Sequence, residues 1–554
     1  MRRLLKVTAA VLVVVIFFIF ATLPARPVAV TWRGDPAIAS RTVAGAYHVH
    51  STRSDGAGDR TAIAGAASRA GLKFVIFTDH GDATRPPDAP AYVDGVLCID
   101  AVEISTNQGH YVALDLPAAP YPLGGDAAAV VEDVARLGGF GFAAHPDSPR
   151  SELSWVQWTA PFDGLEWLNA DTEWRDEGWT RLARVFAAYP FRPGPALASV
   201  LNRPAGTLAR WDSLASTRRV VGIAGHDAHG GVRTPEEGGR ASLLGFPSYE
   251  SSFRSFSVRA ILERALSGAA AADARLLLGA IRDGRIFTAI DAVAAPAVLD
   301  FHAERGAERV LMGGMIPPGP ARLVARAALP EGARIVLLHN RSEVTSIVSD
   351  ELRHDLPAAE GAYRVEVRLR SGGDGRAPLV TSNPIYFLAP PAPMQPPPAP
   401  AVFAADAADH VQWHAEHDAV SRATMGVSGD ETTLDFELKG GERVSQFGAL
   451  VADLAPHEPF SVLRFTIGAS KPMRVSVQLR YAESGGERWG TSVYVDGTGR
   501  QIEVPVARLL PADRQSGRSH DPARATSLLF VIDLTNARPG DAGTLRVSGL
   551  TFGR

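Results

Sequence analysis

The chain reads as an α/β protein, with one unit of alternating strands and helices over residues 41–292 followed by two β-sandwich units. Three observations predict this. From Val43 to about Ile290 short apolar runs alternate with Ala-rich helical stretches, the rhythm of βαβ units. From Ala294 onward the texture changes to runs of alternating polarity between Gly and Pro turns. The segment Ala389 to Ala401, APPAPMQPPPAPA, is a Pro/Ala linker that favours extended polyproline II. At 554 residues the chain also exceeds the size at which one core stops growing, about 250 to 300 residues.

In the first unit the expected strands are Val43 to His50, Lys73 to Thr78, Val96 to Ile104, His110 to Leu116, Phe140 to His145, Gly164 to Asn169 and Val220 to His226. The expected helices are Thr61 to Ala70, Ala127 to Leu137, Arg181 to Ala188, Val258 to Leu266 and Ala272 to Arg282. Residues 293–388, with runs such as Ala333 to His339 and Tyr363 to Leu369, predict a small β-sandwich. Seven or more strands between Phe436 and Val547 predict a jelly roll over 402–554. The semi-rigid linker before it predicts few contacts across that boundary.

Charge and cysteine usage exclude several classes. A net charge of −4 with 21% charged residues leaves no basic surplus for a polyanion, so nucleic acid is not expected as a structural partner. Cys98 is the only cysteine, which rules out an intramolecular disulfide and a cysteine metal site. Arg2, Arg3 and Lys6 precede an uncharged apolar run from Val7 to Leu23. The run falls between a signal peptide and a spanning helix in length. Residues 1–27 are therefore expected to be a signal peptide or a membrane anchor. Either would place the body outside the cytoplasm, in the periplasm or beyond, with residues 7–23 holding it to the inner membrane if uncleaved.

The chemistry concentrates between His48 and His229. His48 and His50 end the first strand, where residues two apart share a side and both imidazoles can reach one ion. Asp55 follows in a Gly-terminated turn. The next strands end on Asp79 and His80 and on Glu103; His110 opens a strand, His145 closes one, and Val220 to Ala224 runs into Gly225-His226-Asp227-Ala228-His229. Imidazoles and carboxylates in such numbers suit two or three divalent ions, Mn, Zn or Fe, with Glu103 as the expected bridge. Such a site polarises an anionic oxygen and acidifies a water, which points to metal-assisted hydrolysis.

In order, HVHSTRSDG, FTDHG, EIS, GHYVAL, AHP and GHDAH resemble the PHP family, named for polymerase and histidinol phosphatase domains, over about residues 43–290. The resemblance implies a seven-stranded (β/α) barrel, TIM-like in plan, with two or three metals at its C-terminal mouth. Carried over motif by motif, the implied ligands are His48, His50, Asp55, His80, Glu103, His110, His145, Asp227 and His229, with Asp227 also the residue expected to act in catalysis. His226 departs from the motif, which has a small residue there; we expect it merely to replace that residue. Asp79 is expected to orient a ligand. The stretch ending Val380-Thr-Ser-Asn-Pro-Ile-Tyr386 is similar to the β-domain of the CehA/McbA-like branch, which includes carbamate and aryl-ester hydrolases. SQFGALVADL and GERWG resemble galactose-binding-like jelly rolls.

The resulting expectation is a metal-dependent hydrolase, first a phosphoesterase attacking a small phosphate ester with a metal-activated water. The alternatives are a carboxylic or carbamic ester hydrolase and a non-catalytic surface protein that binds glycan through its C-terminal domain. Trp155, Trp158, Trp167, Trp174, Trp179 and Trp211 crowd the segment around the last ligands. They are expected chiefly to pack helices, with an aromatic cap over the metals as the sharper reading. Arg175 and Arg233 are further candidates for pairing an anionic substrate.

Overall fold

The computed structural model describes all residues except 1–5, 7–12, 14–15, 18–19, 232–245, 371–374, 390–405, 408–410, 442–444, 455–458, 482–485, 512–520 and 554. Most of the apolar run Val7 to Leu23, nearly all of the Pro-rich linker and Arg233 thus lie outside the described residues. Among the described residues no helix is long and apolar enough to cross a membrane.

The first unit is built on strands β1 (Thr42–Val49), β2 (Phe74–Phe77), β3 (Ala91–Val93), β4 (Val96–Asp100), β5 (Val102–Thr106), β6 (Gly109–Leu114), β7 (Phe140–Ala143), β8 (Gly164–Asn169), β9 (Val221–Gly225), β10 (Ser257–Ile261) and β11 (Ile286–Ala289). Strands β1, β2 and β4 pair in parallel around the helix Arg60–Arg69, which starts on an Asp59 cap accepting from the Ala62 amide. Strand β3 adds an antiparallel hairpin to β4. A second, five-stranded sheet runs β9-β8-β7-β6-β5.

The expected seven-stranded (β/α) barrel is not what forms. Strands take up 42% and helices 19% of the protein, and among the described residues no ladder closes either sheet into a barrel. Three local outcomes decide this. Val96 to Ile104, expected as one strand, breaks at Ala101, so β4 and β5 belong to different sheets. Val258 to Leu266, expected as a helix, begins instead as β10, antiparallel to both β1 and β11. Finally, the free edge of β11 is taken by Val380–Ser382, with Phe287 opposite Ser382, so the sheet continues into the middle segment rather than curling back to β9. Closure needs a backbone neighbour of matching stagger at every edge. Between β9 and β11 side chains stand in that place. Asn383 bonds both the N–H and the C=O of Gly222 and the carbonyl of Ile286, at 2.8 to 2.9 Å. Tyr386 Oη donates to the Val220 carbonyl at 2.7 Å.

The first sheet therefore crosses position 292 and, twelve-stranded in all, takes in Met315–Ile316, Arg334–His339, Ser342–Ile347, Gly361–Arg368, Val380–Ser382 and Ile385–Phe387. A separate four-stranded sheet holds Leu299–Arg305, Glu308–Leu311, Gly319–Ala327 and Glu351–Ala359. One continuous apolar core, from Val30 to Phe387, underlies both segments. A buried ionic network adds to it, with Arg364 bonding both oxygens of Asp212 at 2.8 and 3.0 Å and Glu366 at 2.6 Å.

Beyond residue 405 two six-stranded antiparallel sheets enclose a core of their own, centred on Leu450, Phe465, Val477 and Phe530. Contrary to the few contacts expected across the linker, this unit docks on the first. Arg474, buried, reaches the helix Ala127–Arg136, bonding both oxygens of Asp133 at 2.7 and 3.0 Å and Glu132 at 2.8 Å. Arg136 in turn lies 3.6 Å over the Tyr494 ring.

Candidate metal centre

The two sheets of the first unit abut at the C-terminal ends of β1, β2 and β9 and the start of β5. The contacts there are single bridges, Val49 with Ala228 and His80 with Glu103. Irregular backbone at these ends turns the functional side chains inward. The β1 register shifts between Ala46 and Val49, and His48 adopts φ 62°. His145 and Asp227 also have positive φ, 29° and 46°. Non-glycine residues in this region are strained, and such strain gathers at functional sites. The equal-sided strand inferred for His48 and His50 is thus replaced by a bulge that still brings both rings to one point.

Glu103 is at the centre. Its Oε1 lies 2.7 Å from His110 Nδ1 and 2.9 Å from His145 Nε2, and its Oε2 lies 3.1 Å from His48 Nε2, 3.2 Å from His50 Nε2 and 3.4 Å from His80 Nδ1. Asp227 Oδ1 sits 3.3 Å from His50 Nε2 and 3.5 Å from His48 Nε2. Asp55 stands between His229 at 3.2 Å and His80 at 3.6 Å, with His50 Nδ1 at 3.3 Å. Four overlapping sets have ligand atoms within 4.8 Å of one another: His48, Glu103 and His145; His48, His50 and Asp227; His50, Asp55 and His80; His80, Glu103 and His110. His229 completes the cluster by stacking on His50 at 4.3 Å between ring centroids.

The donor set fits divalent cations. All donors are imidazole nitrogens or carboxylate oxygens, the ligands of borderline and hard ions. His50 Nε2 is buried between Glu103 and Asp227 carboxylate oxygens at 3.2 and 3.3 Å, yet among the described residues it makes no hydrogen bond of good geometry, which buried polar atoms nearly always do. Electrostatics point the same way. Burial opposes ionisation of Glu103, but His48, His110 and His145 hold its carboxyl well below the usual range. Burial likewise opposes charge on His50, yet Asp227 and Glu103 push its pKa up to about 10. A ligating imidazole must be neutral, so metal uptake at pH 7.5 has to displace that proton. Calorimetric titration with Zn in buffers of different ionisation enthalpy should show net release of about one proton or more per chain. Uptake without release would show that His50 takes no part in binding metal.

One carboxylate beside the cluster was missed in the sequence. Glu166 on β8 accepts from His48 Nδ1 at 2.5 Å, and its other oxygen accepts from the His145 amide and from Asn169 Nδ2. It thereby sets the orientation of two histidines of the cluster. The available signal was a glutamate inside the apolar strand Gly-Leu-Glu-Trp-Leu-Asn. Asp79 bonds Ser51 N and Oγ and Ser54 Oγ, so it braces the loop leading to Asp55 rather than the His80 ring. His226 is outside every ligand set; its ring stacks on Phe256 and its nitrogens face the carbonyls of Tyr47 and Phe256. Burial lowers its pKa to about 4.

Two recesses open on the cluster. The larger, of about 460 Å³, meets Asp55, Asp227 and His229; the smaller, of about 230 Å³, meets His80, Arg53 and Arg85. Of the six tryptophans, Trp155, Trp167 and Trp211 are fully buried in the core, Trp158 packs against it, and Trp179 is 80% exposed. Trp174 alone among them lines the larger recess. Arg175 lines it too, paired with Asp171.

Neither the sequence profile of any protein family nor any curated protein matches this chain. Among solved structures, it is similar to the family 11 carbohydrate-binding module of the cellulosomal cellulase Lic26A-Cel5E of Clostridium thermocellum, at 16% identity and TM-score 0.21, over 26% of this chain and 86% of that one. A variant of the family 29 module CBM29-2 matches at 14% identity and TM-score 0.17, over 25% and 81% of the two chains. A family 4 module matches at 11% identity and TM-score 0.19, over 26% and 85%.

Proposed function

We propose that the cluster around Glu103 is a polynuclear metal site and that the protein is a metal-dependent hydrolase, acting first on phosphate esters. The observation that carries this reading is one buried carboxylate within 3.4 Å of five imidazoles, flanked by two further carboxylates. His48, His50, Asp55, His80, Glu103, His110, His145, Asp227 and His229 would hold two or three ions, Mn, Zn or Fe. The motifs that resemble the PHP family are those that supply this set. Bound divalent ions supply Lewis-acid stabilisation of the ester oxygens and acidify water.

The chain's own residues do the rest. Glu103, held ionised and buried, keeps the imidazoles gathered. Glu166 fixes the His48 ring through Nδ1, leaving Nε2 to face the cluster. Asp227 lines the larger recess, and its carboxyl is held low despite burial, by His48 and His50 among others. Its carboxylate is placed to accept the proton of an attacking water. The water oxygen ends on phosphorus, the bond from phosphorus to the leaving oxygen breaks, and the electron pair stays on that oxygen, which is then protonated.

Full-length protein loaded with Mn, Zn or Fe should hydrolyse p-nitrophenyl phosphate or its phosphodiester faster than p-nitrophenyl acetate. The reverse preference would transfer the site to carboxylic or carbamic esters. Stoichiometric metal with no turnover of any of the three would favour the glycan-binding alternative, in which the C-terminal sheets contact a surface polymer. Export or anchoring through residues 1–27 belongs to the same proposal. A reporter fused after Arg554 should be active only outside the cytoplasm.

A further inference from the structure

The larger recess is unlike a site built for a bare phosphate. Its volume, about 460 Å³, is roughly three times that of a cavity that holds benzene. Asp55, Asp227 and His229 form its end at the cluster, while Trp174, Leu197, Val200, Leu201 and Pro247 give it an apolar wall. Apart from Pro247, that wall comes from the helical excursion between β8 and β9, which includes Ala170–Arg175 and Pro193–Ala198. Two guanidinium groups line the same space. Arg175 is neutralised by Asp171, whereas Arg150 is exposed and makes no ion pair among the described residues. A recess with one apolar wall and, among the described residues, one cation without an ion pair, opening on the imidazole and carboxylate cluster, suits a ligand that is apolar along its body and anionic at a second point.

Resting on the hydrolytic reading above, we infer that this recess seats the leaving portion of an amphiphilic ester, its apolar body against Trp174 and Leu201 and a second anionic group on Arg150. In the reaction water adds to phosphorus, the bond to the leaving oxygen breaks, and the amphiphilic alcohol departs through the recess with its carboxylate unchanged.

The test compares 4-(carboxymethyl)phenyl phosphate with 4-(carbamoylmethyl)phenyl phosphate, two esters of equal heavy-atom count that differ in the second charge. On the Mn-loaded full chain, kcat/KM should be about tenfold higher for the carboxylated ester. Arg150→Met should remove that preference, and Trp174→Ala should raise KM for both esters. Glu152→Gln, at an exposed carboxylate outside the site, should change nothing. A second arm measures binding of 4-hydroxyphenylacetate by quenching of tryptophan fluorescence, with and without metal. Saturable binding weakened about tenfold by Arg150→Met is expected. Turnover without preference for the carboxylated ester would overturn the inference and leave the hydrolase reading standing. Binding that responds to Arg150→Met, with neither ester hydrolysed, would uphold the recess and overturn the phosphoesterase reading. Absence of saturable binding would overturn the inference by itself.

Discussion

Glu103→Gln is expected to lose at least one metal ion per chain and to reduce hydrolysis by about three orders of magnitude or more, while the fold persists. The substitution keeps the size and the strand position but removes the charge on which five imidazoles converge. Adjacent cations would then have less negative charge to offset their repulsion and one fewer shared oxygen. The amide would also present an N–H₂ group to nitrogen atoms that act as ligands only through their lone pairs. The strands carrying the cluster are held by ladders and by apolar cores that do not involve this side chain. Elemental analysis, steady-state rate and thermal melting decide the outcome. Glu152→Gln serves as the control. Full metal content and a normal rate in the Glu103 variant would show that another residue bridges.

Arg474→Met should destabilise the protein by about 3 kcal/mol, because it leaves a buried carboxylate with part of its pairing removed. In the wild type Arg474 contributes bonds at 2.7 and 3.0 Å to the two Asp133 oxygens, and Asp133 is almost wholly buried. Arg136 at 2.8 Å and Tyr121 Oη at 3.0 Å remain as partners of one Asp133 oxygen, which moderates the loss. Met preserves the apolar stem of the side chain, so the measured difference reports the charge. Metal content should not change, since none of these groups belongs to the cluster. A chain ended at Leu388 would expose the same helix face and should also melt lower while keeping its metal. An unchanged melting temperature in both variants would mean that the two units are energetically independent, as the linker alone suggested.

The candidate site was legible because its residues are chemically rare in the places where they occur. A histidine, aspartate or glutamate at the end of strand after strand stands out against apolar runs, and Glu103 could be marked as central from its order among them. Glu166 was not legible in that way. A single glutamate inside a strand has many structural explanations, and its bond to His48 joins residues 118 positions apart. The fold was legible only in part. Short apolar runs do not distinguish a buried strand from a helix segment, and Val258 to Leu266 was resolved wrongly for that reason. Nor does a run reveal which edge it will pair with.

By itself, then, the sequence determined which imidazoles and carboxylates gather into the cluster, the place of several strands and helices of the first unit, and the change to β-structure after about residue 293. Tertiary structure decided three further matters. It placed Ala101 as the break that sends β4 and β5 into different sheets. It gave the β11 edge to Val380–Ser382 and filled the gap beside β9 with Asn383 and Tyr386, so the sheets stay open. It docked the C-terminal unit through Arg474 rather than leaving it on a free linker. The physical reason is common to all three: strand partners and buried charge pairs are chosen by geometry between residues far apart in the chain, and local pattern carries no record of that choice.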